Sequence, residues 1–248
     1  YGQDEVIKAL AQANKNLIAV NISGNAVSMP WIKDVPAVLQ AWYLGSEAGS
    51  AIAAILAGDV NPSGKLPFTF PAAREDVGAH KLGDYPGFLR ADGSNIVDEK
   101  YNEGIFVGYR WADKQKTKPL FPFGHGLSYT TFKYRKAVAD KKVMGADETL
   151  TIIVPVTNTG SREGSEVVQL YISDLKSSLP RPVKELKGFS KVRLAPGETK
   201  EITFTVNEDA LKFFDDTRHQ WVSEAGKFEA VIASSATDVK SRVPFELK

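Results

Sequence analysis

Few side chains in this sequence are placed to do chemistry, and most of them stand alone. Glu47 follows Trp42-Tyr43-Leu44-Gly45-Ser46, and Glu103 lies in Tyr101-Asn102-Glu103-Gly104-Ile105-Phe106-Val107-Gly108-Tyr109-Arg110. Glu47 falls just past the carboxyl end of a predicted parallel strand, the edge at which open α/β sheets bind ligands. A Glu in a first helical turn is also favoured by the helix dipole alone, which is the plainer reading. Glu103 is placed to pair with Arg110 or Lys100 as a structural ion pair. Trp42 and Tyr43 close the predicted strand before Glu47. Flat aromatic faces at such an edge suit the C–H faces of sugar rings, and they equally suit a core. Ser23 and Gly24, at the end of the preceding strand, are weaker candidates for the same edge.

Other chemistries find no support. The three histidines, His80, His125 and His219, have no metal-ligand spacing among them. There is no cysteine, hence no disulfide and no thiolate ligand. Gly45-Ser46-Glu47-Ala48-Gly49 lacks the Gly-x-Ser-x-Gly spacing of a nucleophile elbow, so Ser46 reads as a helix cap. No Gly-rich phosphate loop follows a strand. The reading therefore expects no metal and no cofactor in this chain.

Two different patterns of apolar residues position these side chains. Val6, Leu10 and Ala13 recur at helical spacing, and Leu17-Ile18-Ala19-Val20-Asn21-Ile22 is a short apolar run of the buried-strand kind. Val38-Leu39-Gln40-Ala41-Trp42-Tyr43 predicts the next strand. Gly45-Ser46-Glu47 then opens an alanine-rich helix that Gly58 closes. Helix, strand, strand and helix in this order predict part of an α/β sandwich, a parallel sheet flanked by helices. Two strands cannot bury both faces of such a sheet. The sequence also opens in mid-helix, at Asp4-Glu5-Val6-Ile7-Lys8-Ala9-Leu10 after Tyr1, so a piece of a longer polypeptide is expected.

From about residue 61 to 132 no period is sustained, and Gly, Pro and aromatic residues accumulate; residues 78–98 are the most polar and are expected to be exposed. From about Tyr134 the period becomes two. Thr149-Leu150-Thr151-Ile152-Ile153-Val154-Pro155-Val156, Glu166-Val167-Val168-Gln169-Leu170-Tyr171-Ile172, Glu201-Ile202-Thr203-Phe204-Thr205-Val206 and residues 226–233 and 239–247 alternate, with turn chemistry between them. About seven short strands predict a β-sandwich of the fibronectin type III kind. The fold class is thus α/β plus all-β. The divisions are 1–71, part of an α/β sandwich; 72–133, an aromatic wrapping linker; and 134–248, the β-sandwich.

The chain has 248 residues with a formal net charge of +1, 43% hydrophobic and 25% charged. Its cations form no basic stripe, which argues against nucleic acid. No apolar run reaches the roughly 18 residues a membrane helix needs.

Read in order, the motifs are specific. Trp42-Tyr43-Leu44-Gly45-Ser46-Glu47-Ala48-Gly49 and Gly58-Asp59-Val60-Asn61-Pro62-Ser63-Gly64-Lys65-Leu66-Pro67-Phe68-Thr69-Phe70-Pro71 closely resemble the carboxyl-terminal α/β domain of family 3 β-glucosidases. Residues 101–110 and 120–132 resemble the segments that follow it. Val156-Thr157-Asn158-Thr159-Gly160, residues 181–189 and residues 194–199 resemble the family's terminal fibronectin-like domain. The resemblance covers nearly the whole chain.

It implies a (β/α)8-type barrel, then a six-stranded α/β sandwich, then the fibronectin-like domain. It also implies a retaining mechanism with two carboxylates about 5–5.5 Å apart. In the family these are an Asp on the barrel and a Glu in an early loop of the α/β sandwich. Neither motif has a counterpart here, so no catalytic residue is carried over. The resemblance implies the carboxyl-terminal part of an exo-acting β-glycosidase whose partners are a β-linked oligosaccharide or glucoside and a barrel segment. Trp42, Tyr43 and Glu47 are the candidate substrate-binding residues, and the implied location is periplasmic or extracellular. The other reading is a non-catalytic carbohydrate- or protein-binding fibronectin-like module. The first predicts a large exposed apolar surface on residues 1–71, the second predicts none.

Overall fold

The computed structural model describes residues 2–248; Tyr1, from which the first division was counted, lies outside them. Helix α1 (Gln3–Ala13) begins with Asp4 and Glu5, which complement the positive end of its dipole. Asp4 also accepts from the Trp31 indole N–H at 2.9 Å. The helix packs through Ile7 and Ala11 onto Met29, Trp31 and Val35. The stripe read from sequence lies outside: Val6 is 58% and Leu10 49% exposed. The helix is apolar on two sides, and among the described residues only the Ile7–Ala11 side packs into a core.

Strands β1 (Ile18–Asn21) and β2 (Ala37–Gln40) run parallel, with Ile18 opposite Ala37 and Asn21 opposite Gln40. β2 is shorter than expected. It stops at Gln40 because Trp42 takes a left-handed backbone, φ 56°, and turns its ring out of the strand direction. A 3-10 turn over Gly45–Glu47 leads into helix α2 (Ala48–Ala57). Ser46 is inside that turn and caps nothing, a correction to its expected role. Gly58 does end α2, at φ 83° with its N–H on the Ile55 carbonyl.

The next segment closes on itself. Phe70 and Phe121 form an antiparallel bridge, Leu66 N–H donates to the His125 carbonyl, and Gly124 N–H donates to the Leu66 carbonyl. Between these paired stretches the chain makes an excursion through α3 (Gly78–Lys81), the hairpin β3 (Phe88–Leu89) with β4 (Val97–Asp98), and α4 (Tyr109–Gln115). Residues 78–98 are mostly exposed, apart from the buried Gly78 and Asp84.

The β-sandwich opens with β5 (Phe132–Tyr134), β6 (Val138–Ala139) and β7 (Val143–Met144) and continues through β8 (Leu150–Asn158), β9 (Gly164–Asp174), β10 (Glu185–Leu194) and β11 (Thr199–Val206). The side hairpin β12 (Phe213–Asp215) and β13 (Gln220–Val222) precedes β14 (Gly226–Ala233) and β15 (Val239–Leu247). One sheet orders β10-β9-β14-β15-β7, the other β11-β8-β5 with β6 also on β8. β8 alternates as predicted, burying Leu150, Ile152, Val154 and Val156 against Val168, Leu170, Ile172, Phe228 and Ile232. The middle of β9 is buried on both faces, since Tyr109, Phe123 and Leu186 cover the outer side of Tyr171 and Val231. β10 was not read from sequence. Its Lys and Gly positions and the shift in register between Leu186 and Gly188 hide the alternation.

Candidate functional site

At the carboxyl edge of β1 and β2 the side-chain amides meet. Asn21 Nδ2 donates to Gln40 Oε1 and, at 3.1 Å, to Ser23 Oγ; Gln40 Nε2 reaches the same hydroxyl at 3.2 Å. Ser23 Oγ passes its own proton to the Asn25 carbonyl at 2.8 Å. The one polar residue inside each apolar run, Asn21 and Gln40, was the signal for this network, and the sequence reading passed over it.

Tyr43 lies over this edge. Its ring is so close to Gly24 that a Cβ there would sit 2.9 Å from Cε2, while 78% of the residue remains open to solvent. Gly24 therefore seats the ring. Trp42 points the other way, edge-on to Phe68 at 5.2 Å and to Phe70 at 6.3 Å between centroids. Phe70 in turn meets Phe121, and Phe121 stacks on His125. Of the aromatic pair, only Tyr43 presents a largely exposed ring at this edge; Trp42 packs into the Phe68–Phe70 cluster. Glu47 is exposed, and its Oε2 accepts from Ser50 Oγ at 3.0 Å.

Glu103 departs from expectation. Arg110 pairs with Glu185 at 3.5 Å, and the Lys100 ammonium sits over the Phe88 ring at 5.1 Å. Neither pairs with Glu103, whose Oε2 is closed to solvent and has no hydrogen-bond partner among the described residues. His80 packs edge-on to Tyr85, and His219 turns the β12–β13 hairpin at φ 52°. His125 is held below the ordinary imidazole range, first by burial and then by the Lys65 charge, with Asp238 opposing. Among the described residues no group of three His, Cys, Asp or Glu side chains could hold a metal ion.

A second polar system joins the two patterns of structure. Lys65 and Glu166 pair at 2.9 Å with side chains 14% and 9% exposed, and Lys65 Nζ also donates to the Gly126 carbonyl. Asn61 donates to the Glu163 carbonyl and accepts from Ser128 Oγ and Tyr129 N–H. Lys184 reaches Asp113, and Leu186 N–H donates to the Tyr109 hydroxyl. Arg181 bridges Asp174 at 3.0 Å and Glu185 at 2.7 Å. Apart from the two local Arg181 pairs, these partners lie about 60 to 100 residues apart in sequence, so no local pattern could have paired them. What they do is fix the aromatic segment on the sandwich.

With this geometry in place, the chain can be set beside known proteins. Residues 1–129 match the glycosyl hydrolase family 3 C-terminal domain, and residues 166–236 match the fibronectin type III-like domain. A β-glucosidase from Bacteroides ovatus is 51% identical over 248 residues, which is 99% of this chain and 32% of that protein. A thermostable β-glucosidase B from Acetivibrio thermocellus is 44% identical over 96% of this chain and 30% of its own length. The solved structure of a Streptomyces venezuelae β-glucosidase in complex with D-glucose superposes with a TM-score of 0.90 at 40% identity, covering 100% of this chain and 31% of that one. The chain thus spans about a third of the length of the relatives it matches.

Proposed function

The chain belongs to glycosyl hydrolase family 3, matching the family's carboxyl-terminal domain, and on that premise we propose that it is the carboxyl-terminal part of a retaining, exo-acting β-glucosidase. It completes the sugar pocket and the scaffold and supplies neither catalytic carboxylate. The observation that carries this reading is the open apolar surface on the first layer. Val6, Leu10, Ile18, Ile22, Tyr43, Leu56 and Val60 are each between 43% and 78% exposed, and α2 has no buried residue although its sequence is Ala-Gly-Ser-Ala-Ile-Ala-Ala-Ile-Leu-Ala. A helix that is apolar all round belongs inside a protein. A self-contained binding module would have no use for such a surface, and this argues against the second reading.

In the proposed site Tyr43 offers its ring to a terminal β-linked sugar, Trp42 is packed away from it against Phe68 and Phe70, and Glu47 lies at the rim. The Asn21–Ser23–Gln40 network fixes the loop on which Tyr43 rests. The units are 1–71, 72–133 and 134–248. The pairing of 66–70 with 120–125 crosses the first division, and β5 (Phe132–Tyr134) begins two residues before the last one. A periplasmic or extracellular location follows from the family resemblance and is checked by cell fractionation.

The test is hydrolysis of an aryl β-glucoside by the purified 248-residue chain, before and after adding the barrel-containing segment of the same enzyme. The expected result is no turnover alone and turnover on addition. Turnover by the chain alone overturns the reading and makes Glu47 and Glu103 the first positions to substitute.

A further inference from the structure

Residues 84–102 form a loop that is fastened at its base and apolar on its outside. At the base the Asp84 carboxylate, in a residue only 2% exposed, accepts from the Asn102 backbone N–H at 3.2 Å and from its Nδ2 at 2.8 Å. Above it β3 pairs with β4, and Arg90 grips Asp98 through two hydrogen bonds of 2.8 and 2.7 Å. Gly87, at φ 94°, lets the two sides approach so closely that a Cβ would meet Val97 at 2.6 Å and the Asp98 carbonyl at 2.7 Å. Such fastening gives the loop one set shape and lowers the entropy lost when something docks on it.

The outside of this loop and the turn after it is not what water selects. Leu89, Val97, Tyr101, Ile105 and Val107 are between 51% and 75% exposed. Within the same stretch Glu103 keeps one carboxylate oxygen out of solvent with no donor. An orphaned acceptor of this kind is costly and calls for a partner. The loop's own cations are engaged, Arg90 by Asp98 and Lys100 by the Phe88 ring. A second copy of this loop would therefore bring no free cation to Glu103.

We propose that this loop is a docking surface for the amino-terminal portion of the same enzyme, separate from the exposed apolar residues of α1 and of α2. Apolar side chains of that portion cover Leu89, Val97, Tyr101, Ile105 and Val107, and one of its N–H or cationic donors completes Glu103. The inference rests on the reading of the chain as one part of a family 3 glycosidase. The size of the relatives supports this occupant. The matched part is 32% of the Bacteroides ovatus protein, so most of that protein lies outside the match. That remainder is large enough to meet two faces.

Hydrogen exchange read by mass spectrometry over residues 37–57 and 84–107 tests this, in the 248-residue chain and in the intact enzyme that contains it. Both stretches should exchange more slowly in the intact enzyme, the loop by about tenfold or more. Leu89→Asp and Glu103→Leu should each remove the loop's protection there, yet leave the melting of the isolated chain unchanged. Protection confined to 37–57 would overturn the loop's role and spare the functional reading. Protection at neither stretch would overturn both. Protection of the loop that grows with the concentration of the isolated chain would assign it to a second copy, and the proposal would fail.

Discussion

Two apolar segments of nearly equal length meet opposite fates in this molecule. β8 has nine residues and buries every second one; α2 has ten, more uniformly apolar, and buries none. The pressure to leave water is the same for both, about 25 cal/mol for each Å² of apolar surface. What differs is the company. β8 lies between β11 and β5 and faces a second sheet, whereas α2 is held by hydrogen bonds from Tyr129 and Arg162 to the Ile55 and Gly58 carbonyls. The sandwich therefore carries its own stability, while the amino-terminal layer presents a surface that still demands a partner.

That contrast can be broken at several points. The largest effect is expected in the sandwich. Phe228 is 1% exposed and stacks on Phe245 at 5.6 Å, so Phe228→Ala should cost about 3–5 kcal/mol in denaturant melts of this chain. A loss below 1 kcal/mol there would mean the sandwich is not the stable half. Next comes the joint. Lys65→Met strands Glu166 among buried groups and should cost about 3 kcal/mol. Adding Glu166→Leu should recover most of it, and a double variant as unstable as the single one would show that packing, not charge, holds the joint.

Asn158 follows. It is fully buried; its Oδ1 accepts from Thr130 Oγ1 and Gly160 N–H, and its Nδ2 donates to the Arg162 and Leu194 carbonyls. Asn158→Ala leaves those groups unmatched and should cost about 2–3 kcal/mol, read as a shift in unfolding midpoint. The smallest effect is expected on the open face. Val6→Ser with Leu10→Ser should change the stability of this chain by no more than about 0.5 kcal/mol. In the intact enzyme the same pair should weaken docking by several kcal/mol, since each apolar side chain there is worth about 1.5–3 kcal/mol. An equal cost in both settings would erase the difference between the two regions.

Much of the architecture was legible before any coordinates. α1, β1, α2 and the strands β8, β9, β11, β14 and β15 follow from period and from turn chemistry, because each pairs a steady apolar rhythm with a clear stop. Gly58 was legible as a helix stop for the same reason. β10 was not, since a bulge and interleaved lysines break its rhythm, and the short β12–β13 hairpin carries too few residues to show one. Trp42 and Tyr43 read as strand because their side chains favour strands. Their separation into an anchor and an exposed ring depends on the aromatic cluster and on Gly24, which come from other parts of the chain.

By itself the sequence determined which segments are helix or strand and which residues demand burial, because those follow from local spacing and composition. It also determined the family, because its motifs occur in order along nearly the whole chain. Only the tertiary structure decided how those demands are met. It turned Ile7 and Ala11 of α1 inward and Val6 and Leu10 outward, paired Lys65 with Glu166, gave Arg110 to Glu185 and left Glu103 without a donor. Each of these is settled by what lies across a gap in space, and no window along the chain contains both sides of that gap.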